Sequence, residues 1–229
     1  HMKSGLSGWF VTANDIVKWT ETNKRRSEEI LPLLINKLIL FSSKPREINF
    51  PSGDLVQIGG WDGILDVDQG NQFIPSGKSG WEIGTNTNVT KKANDDYEKR
   101  TINSKPIRRR ESTFVFVTSR LWTKKRTWIT DKKKERKWKE IKAINAEDLE
   151  AWLAQCPPVH RWFAGILGKR NDRLWGLDQA WEALSHITSC QLSMDLFINS
   201  RKNETDQLIN YLVGSPCALK VKAQSAAES

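Results

Sequence analysis

Gly59-Gly60-Trp61-Asp62-Gly63, followed by Trp81-Glu82-Ile83-Gly84-Thr85 and then the run from Val89 through Lys99-Arg100-Thr101, sets two strands and a helix in succession at the centre of the chain. Trp61 to Val67 has the composition of a strand, entered from Gly59-Gly60 and left through the turn Gln69-Gly70-Asn71. Trp81 to Thr85 reads as the next strand after a second turn, Pro75-Ser76-Gly77. Upstream, Glu47-Ile48-Asn49-Phe50 is a short strand stopped by Pro51-Ser52-Gly53-Asp54. Connections this short make an antiparallel meander the economical arrangement of the three. Val89 to Ile102 then carries Ala93, Tyr97 and Arg100 at helical spacing, with Lys92 and Asp96 four residues apart.

On either side the periodicity is clear. Thr12, Asn14 and Asp15 can open a short helix before Ile16, Val17 and Trp19. Ile30, Leu31, Leu34, Ile35, Leu38 and Ile39 form a wide apolar helical face, with Pro32 expected near the first turn or at a kink. Downstream, Ser112 to Thr118 is a nearly unbroken run of strand formers and reads as a fully buried strand. Trp138 to Ile144 alternates more and reads as a strand nearer an edge. Asn145-Ala146-Glu147-Asp148 opens a helix, Pro157-Pro158 separates it from another, and Gly168 ends that one. The order is helix, three-strand meander, helix and two further strands: an α/β fold with a central mixed sheet flanked by helices. We expect this domain to span residues 7–168. Residues 169–229 read as a linker, a helix over 177–185, a strand over 192–198, a helix over 204–212 and a strand over 218–223, the start of a further α/β region of a longer protein.

Composition narrows the function classes. Hydrophobic residues make up 38% and charged residues 28% of the 229, which excludes a disordered chain. The net charge of +9 favours polyanionic partners. Between Arg120 and Lys142 eleven basic residues face three acids, a net +8 that nearly accounts for the whole. We read this segment as a long basic loop beside the sheet, with Lys124, Lys125, Arg126, Lys132, Lys133 and Lys134 as candidate phosphate contacts. A solvated loop, or a dock for an acidic protein partner, is the competing reading. Cys156, Cys190 and Cys217 are odd in number and lack ligand spacing, which argues against a disulfide framework or a cysteine zinc site and for a reducing, cytoplasmic setting. His1-Met2 reads as a cloning remnant, and the lone His160 as a packed or exposed side chain rather than a catalytic one. No segment has the length and apolarity of a membrane span or signal peptide.

Asp62 and Glu82, each just after a tryptophan on neighbouring strands, can hold a hard divalent cation between them. A turn aspartate and an exposed strand glutamate is the plainer reading of two such short motifs. The residues from Trp61-Asp62-Gly63 through Trp81 to Thr85, Lys92 to Thr101 and Phe114 to Thr118 resemble the PD-(D/E)xK nuclease superfamily. More narrowly, they resemble the Mrr-like nuclease domains at the N-terminus of Avs-type antiviral STAND NTPases, over roughly residues 8–168.

The resemblance implies a restriction-endonuclease-like core and Mg²⁺-dependent cleavage of double-stranded DNA, with Mn²⁺ as the other cation. Asp62 and Glu82 take the places of the two metal-binding acids. The lysine that should stand two residues after the second acid is replaced by Gly84, so Lys92, or else Lys91, is expected to supply that charge from the following helix. Glu29 is expected as a further metal ligand. The resemblance also implies self-association, as a tetramer, in a bacterial protein whose missing part senses a phage protein. No Walker A motif is present in these residues. Gly84 keeps a second reading open: a catalytically degenerate DNA-binding or assembly module of the same fold.

Overall fold

The computed structural model describes residues 10–51, 60–169 and 199–214. The chain divides into two compact units, residues 1–171 and 172–229. The first unit opens with α1 (Ala13–Thr22), whose N-cap Thr12 forms a capping box with Asp15: the hydroxyl accepts the Asp15 N–H, and the carboxylate takes the Thr12 N–H at 2.8 Å. α2 (Lys24–Ser42) buries Leu31, Leu34, Ile35, Leu38 and Ile39, the stripe legible in the sequence. Pro32 lies inside this helix, well past its first turn.

The sheet has five strands in chain order: β1 (Pro45–Asn49), β2 (Gly63–Val67), β3 (Gly77–Gly84), β4 (Thr113–Thr118) and β5 (Glu140–Ile144). β1, β2 and β3 form the expected antiparallel meander, and β3, β4 and β5 run parallel. Parallel neighbours need a crossover, and α3 (Val89–Ile102) and α4 (Lys125–Lys134) provide the two. Every residue of β4 is buried, as a central strand covered on both faces must be. α5 (Ala146–Gln155), with an Asn145–Asp148 capping box, and α6 (Pro157–Ile166), ended by Gly168 at φ +72°, complete the unit. The fold is therefore α/β with a mixed five-stranded sheet flanked by helices, consistent with a restriction-endonuclease-like core.

Side-chain alternation along the strands separates two cores. Trp81, Val115 and Val117 join α1, α2, α5 and α6 in one, centred on Leu34, Ile35, Trp152 and Phe163. Phe114 and Phe116 join Ala93 and Tyr97 of α3 in the other, with Trp61, Trp122, Trp128 and Trp138.

The segment from Arg120 to Lys142 corrects the sequence reading: it is not a long loop but carries α4. Its three tryptophans make it ordered. The indole N–H groups of Trp122, Trp128 and Trp138 donate to side-chain oxygens of Thr90, Asn94 and Thr101 at 2.9, 2.9 and 3.0 Å, so each is fastened to α3.

In the second unit the described residues include a helix over Lys202–Val213, where one was expected over 204–212. The helix expected over 177–185 and the strands expected over 192–198 and 218–223 lie outside the described residues. No helix among the described residues is long and apolar enough to cross a membrane.

Candidate active site

β2 and β3 pair with Gly63 opposite Trp81, so continuing the register by one residue sets Asp62 against Glu82. Asp62 stands just before the first residue of β2, and its Oδ2 accepts the Ile83 N–H at 2.7 Å. This bond ties the acid to the end of β3. Glu82 alternates with Trp81 and lies opposite Phe116, so it points to the α3 side of the sheet. Only 3% of Glu82 is exposed.

Lys92, Asp96 and Arg100 recur every four residues along α3 and face the same cluster. The Lys92 ammonium donates to Asp96 Oδ1 at 2.8 Å. Its aliphatic stem runs over Gly84: a Cβ on that glycine would come within 3.0 Å of Lys92 Cγ and 3.4 Å of Cε. The helix lysine thus fills the space in front of Gly84. Asp96 is buried, and its second oxygen, Oδ2, has no hydrogen-bond partner. The Arg100 guanidinium donates through Nε to Glu82 Oε1 and through an Nη to the Gly60 carbonyl, and it stacks on Trp61 with its carbon 4.8 Å from the ring centroid.

The electrostatics follow from burial and crowding. Burial pushes the Glu82 carboxyl well above the usual range, the Asp62 charge adds to this, and Arg100 opposes it. Burial likewise raises Asp96, against the pull of Lys92. Lys92 loses some of its charge preference to burial, but the Asp96 hydrogen bond and the charges of Asp96, Glu82 and Asp62 outweigh that and raise it. It is an ammonium at neutral pH.

Chemically the donors suit a hard cation: three carboxylates, of which Asp96 keeps Oδ2 without a hydrogen-bond partner, and neither sulfur nor imidazole. Among the described residues no three His, Cys, Asp or Glu side chains converge closely enough to hold an ion by themselves. A cation held by Asp62 and Glu82 would complete its shell with water and phosphate oxygens, as Mg²⁺ ordinarily does.

The other expected residues are placed as follows. Glu29 is half-exposed on α2 and pairs with Arg25 on its own helix at 3.4 Å. The acid of α2 that meets the end of β3 is instead Glu28, which accepts the Thr85 hydroxyl at 3.3 Å. Of the basic candidates, Lys125 is committed to Asp148 and to Asn145 Oδ1 at the start of α5. Lys132 lies over the Tyr97 ring at 4.6 Å and pairs with Glu135, Lys133 reaches Glu140 at 3.7 Å, and Lys134 pairs with Asp131. Lys124 and Arg126 are exposed and carry no ion pair among the described residues. Lys124 borders an open depression of about 540 Å³, lined also by Thr87, Asn88, Thr90, Leu121 and Trp122. The starts of α3 and α4 both border it, and both bring partial positive charge.

Sequence reasoning missed Asp96 and Arg100. Their signal was the four-residue step from Lys92, on the face that also carries Ala93 and Tyr97. The chain matches no protein-family model, no curated protein and no solved structure.

Proposed function

We propose that this domain is a metal-dependent endonuclease acting on double-stranded DNA, the effector part of a cytoplasmic bacterial anti-phage protein that becomes active on self-association. One observation carries the reading. Lys92 lies across Gly84 with its ammonium on Asp96 and under the charges of Glu82 and Asp62, which supports a lysine from α3 serving where the strand position has none.

In this reading Asp62 and Glu82 would hold Mg²⁺ or Mn²⁺, which when bound would supply an activated water and positive charge at the scissile phosphate. Lys92 neutralises the charge that develops on the phosphate oxygens, and Asp96 holds that lysine in place by the 2.8 Å bond. The starts of α3 and α4, with Lys124 and Arg126, orient the DNA backbone. Trp122, Trp128 and Trp138 keep α4 against α3 and are not base-stacking platforms, because all three are buried.

The test is plasmid cleavage with Mg²⁺ by the wild type, Asp62→Ala, Glu82→Ala and Lys92→Ala, each fused to a tetramerising segment. Cleavage that all three substitutions and EDTA abolish supports the reading. An intact plasmid with folded, assembled wild type refutes it. The second reading, a degenerate DNA-binding or assembly module, is favoured by the Glu82–Arg100 pair, which gives the second acid a cation of its own. Salt-dependent DNA binding without cleavage would select it.

A further inference from the structure

Arg100 is a buried cation that the proposed mechanism does not use. Among the described residues its partners all belong to the site: the Glu82 carboxylate, the carbonyl of Gly60 and the ring of Trp61. Gly60 and Trp61 immediately precede Asp62. One side chain therefore grips one candidate ligand directly and the backbone leading to the other.

We propose that Arg100 is a latch: it serves as the resident counter-ion of Glu82 and opposes the binding of a divalent cation there until it is withdrawn. The inference rests on the nuclease reading and adds a means of regulation to it. A guanidinium and a divalent ion on one buried carboxylate repel strongly where water is scarce, so the two compete for Glu82 even though the guanidinium Nε bonds only Oε1. The charge balance points the same way. Counted as formal charges with every group ionised, Asp62, Glu82 and Asp96 against Lys92 and Arg100 leave −1. With Arg100 withdrawn the formal charge is −2, and a divalent ion that displaces the proton held by the buried Glu82 carboxyl would match it. Lys92 can stay throughout, because its partner is Asp96 and not Glu82.

Arg100 lies in the last turn of α3, and that helix is held by the tryptophans of the basic segment. A force on α4 or on the basic segment, from DNA or from a neighbouring copy, thus reaches the latch through Thr101 and Asn94. The isolated domain then has low cation affinity, and assembly or DNA raises it.

The test is Mn²⁺ binding, read from the loss of the free-ion electron paramagnetic resonance signal, on the chain of 229 residues at neutral pH. Arg100→Gln, which keeps hydrogen-bonding capacity and removes the charge, is expected to bind Mn²⁺ at least tenfold more tightly than wild type. Arg100→Lys is expected within threefold of wild type, and Glu82→Gln added to Arg100→Gln is expected to cancel the gain. A folded Arg100→Gln protein that binds no more tightly overturns the proposal, as does a gain that survives Glu82→Gln.

Should Arg100→Gln fail to fold, the wild type provides the readout by nuclear magnetic resonance. Mg²⁺ is expected to shift the Arg100 Nε–H signal and speed its exchange, alongside a shift of the Ile83 amide that Asp62 accepts from. A moving Ile83 amide with an unmoved Arg100 signal overturns the latch. Wild-type plasmid cleavage with Arg100 still paired overturns the latch alone. Failure of both wild type and Arg100→Gln to bind Mn²⁺, with no cleavage on forced assembly, overturns the nuclease reading with it.

Discussion

At the residue scale, the relation between Gly84 and Lys92 makes a strand glycine answerable to a helix lysine. Gly84→Ala places a methyl group 3.0 Å from Lys92 Cγ. The neighbour is a flexible stem and can yield, so the stability loss should be about 1 kcal/mol. Displacing the ammonium should nevertheless cost cleavage on the order of tenfold, against roughly 100-fold or more for Lys92→Ala. Cleavage kinetics beside thermal melts decide this, and unimpaired cleavage by Lys92→Ala would remove Lys92 from the mechanism. A second residue-scale prediction lies away from the site. His160 is buried, and its Nε2 accepts the Val11 N–H at 2.8 Å. Burial lowers its pKa below the ordinary 6.5. The unfolded chain therefore takes up the proton more readily than the folded one. The stability that the neutral ring contributes is present above pH 6.5 and is lost as pH falls through the lower, folded value. Melting temperatures between pH 8 and pH 5 should fall with pH in the wild type and fall less in His160→Gln. An equal fall in both would show that another group governs acid stability.

At the element scale, α3 and α4 show what sequence patterns make visible. α3 could be read because Ala93 and Tyr97 mark an apolar face, and β2 to β4 because turns and strand formers alternate cleanly. α4 was hidden because Trp128 is its one buried residue, and a helix with so narrow an apolar stripe looks like a charged loop. The site was legible to the same degree. Asp62 and Glu82 follow from strand register, whereas Asp96 and Arg100 are charged residues that become buried only because they pair with Lys92 and Glu82. Charge on a helix is ordinarily read as a solvated face. α4 yields its own prediction, since its basic residues differ in commitment. Lys124→Ala with Arg126→Ala should lower the slope of log affinity for duplex DNA against log salt by about 2, with stability changed by less than about 0.5 kcal/mol. Lys125→Ala breaks the contacts to Asp148 and Asn145, and should instead cost about 1 kcal/mol of stability while leaving the salt slope nearly unchanged. Fluorescence anisotropy at several salt concentrations separates the two. Equal loss of slope from both would mean that α4 acts as a diffuse charge rather than through its first turn.

At the scale of the first unit, the sheet divides labour between its faces. The core formed with α1, α2, α5 and α6 is almost wholly apolar and has no charged group of the candidate site in it. The core formed with α3 and α4 is built from aromatic rings whose N–H groups reach the helix that also carries Lys92, Asp96 and Arg100. Packing changes on the two faces should therefore have different consequences at similar cost in stability. Ile35→Val thins the first core and should lower stability by about 1 kcal/mol, with cleavage and DNA affinity unchanged at temperatures where the protein is folded. Trp128→Phe removes the hydrogen bond to Asn94 and part of the packing between α4 and α3, at a cost of about 1–3 kcal/mol. It should also weaken DNA binding and alter Mn²⁺ affinity, because α3 sets the positions of both cations of the site. Chemical denaturation, anisotropy and Mn²⁺ titration on the two variants test this directly. If Ile35→Val disturbs binding as much as Trp128→Phe does, the faces are not separable, and the cluster of Asp62, Glu82, Asp96, Lys92 and Arg100 is an ion-pair network serving the stability of the whole unit.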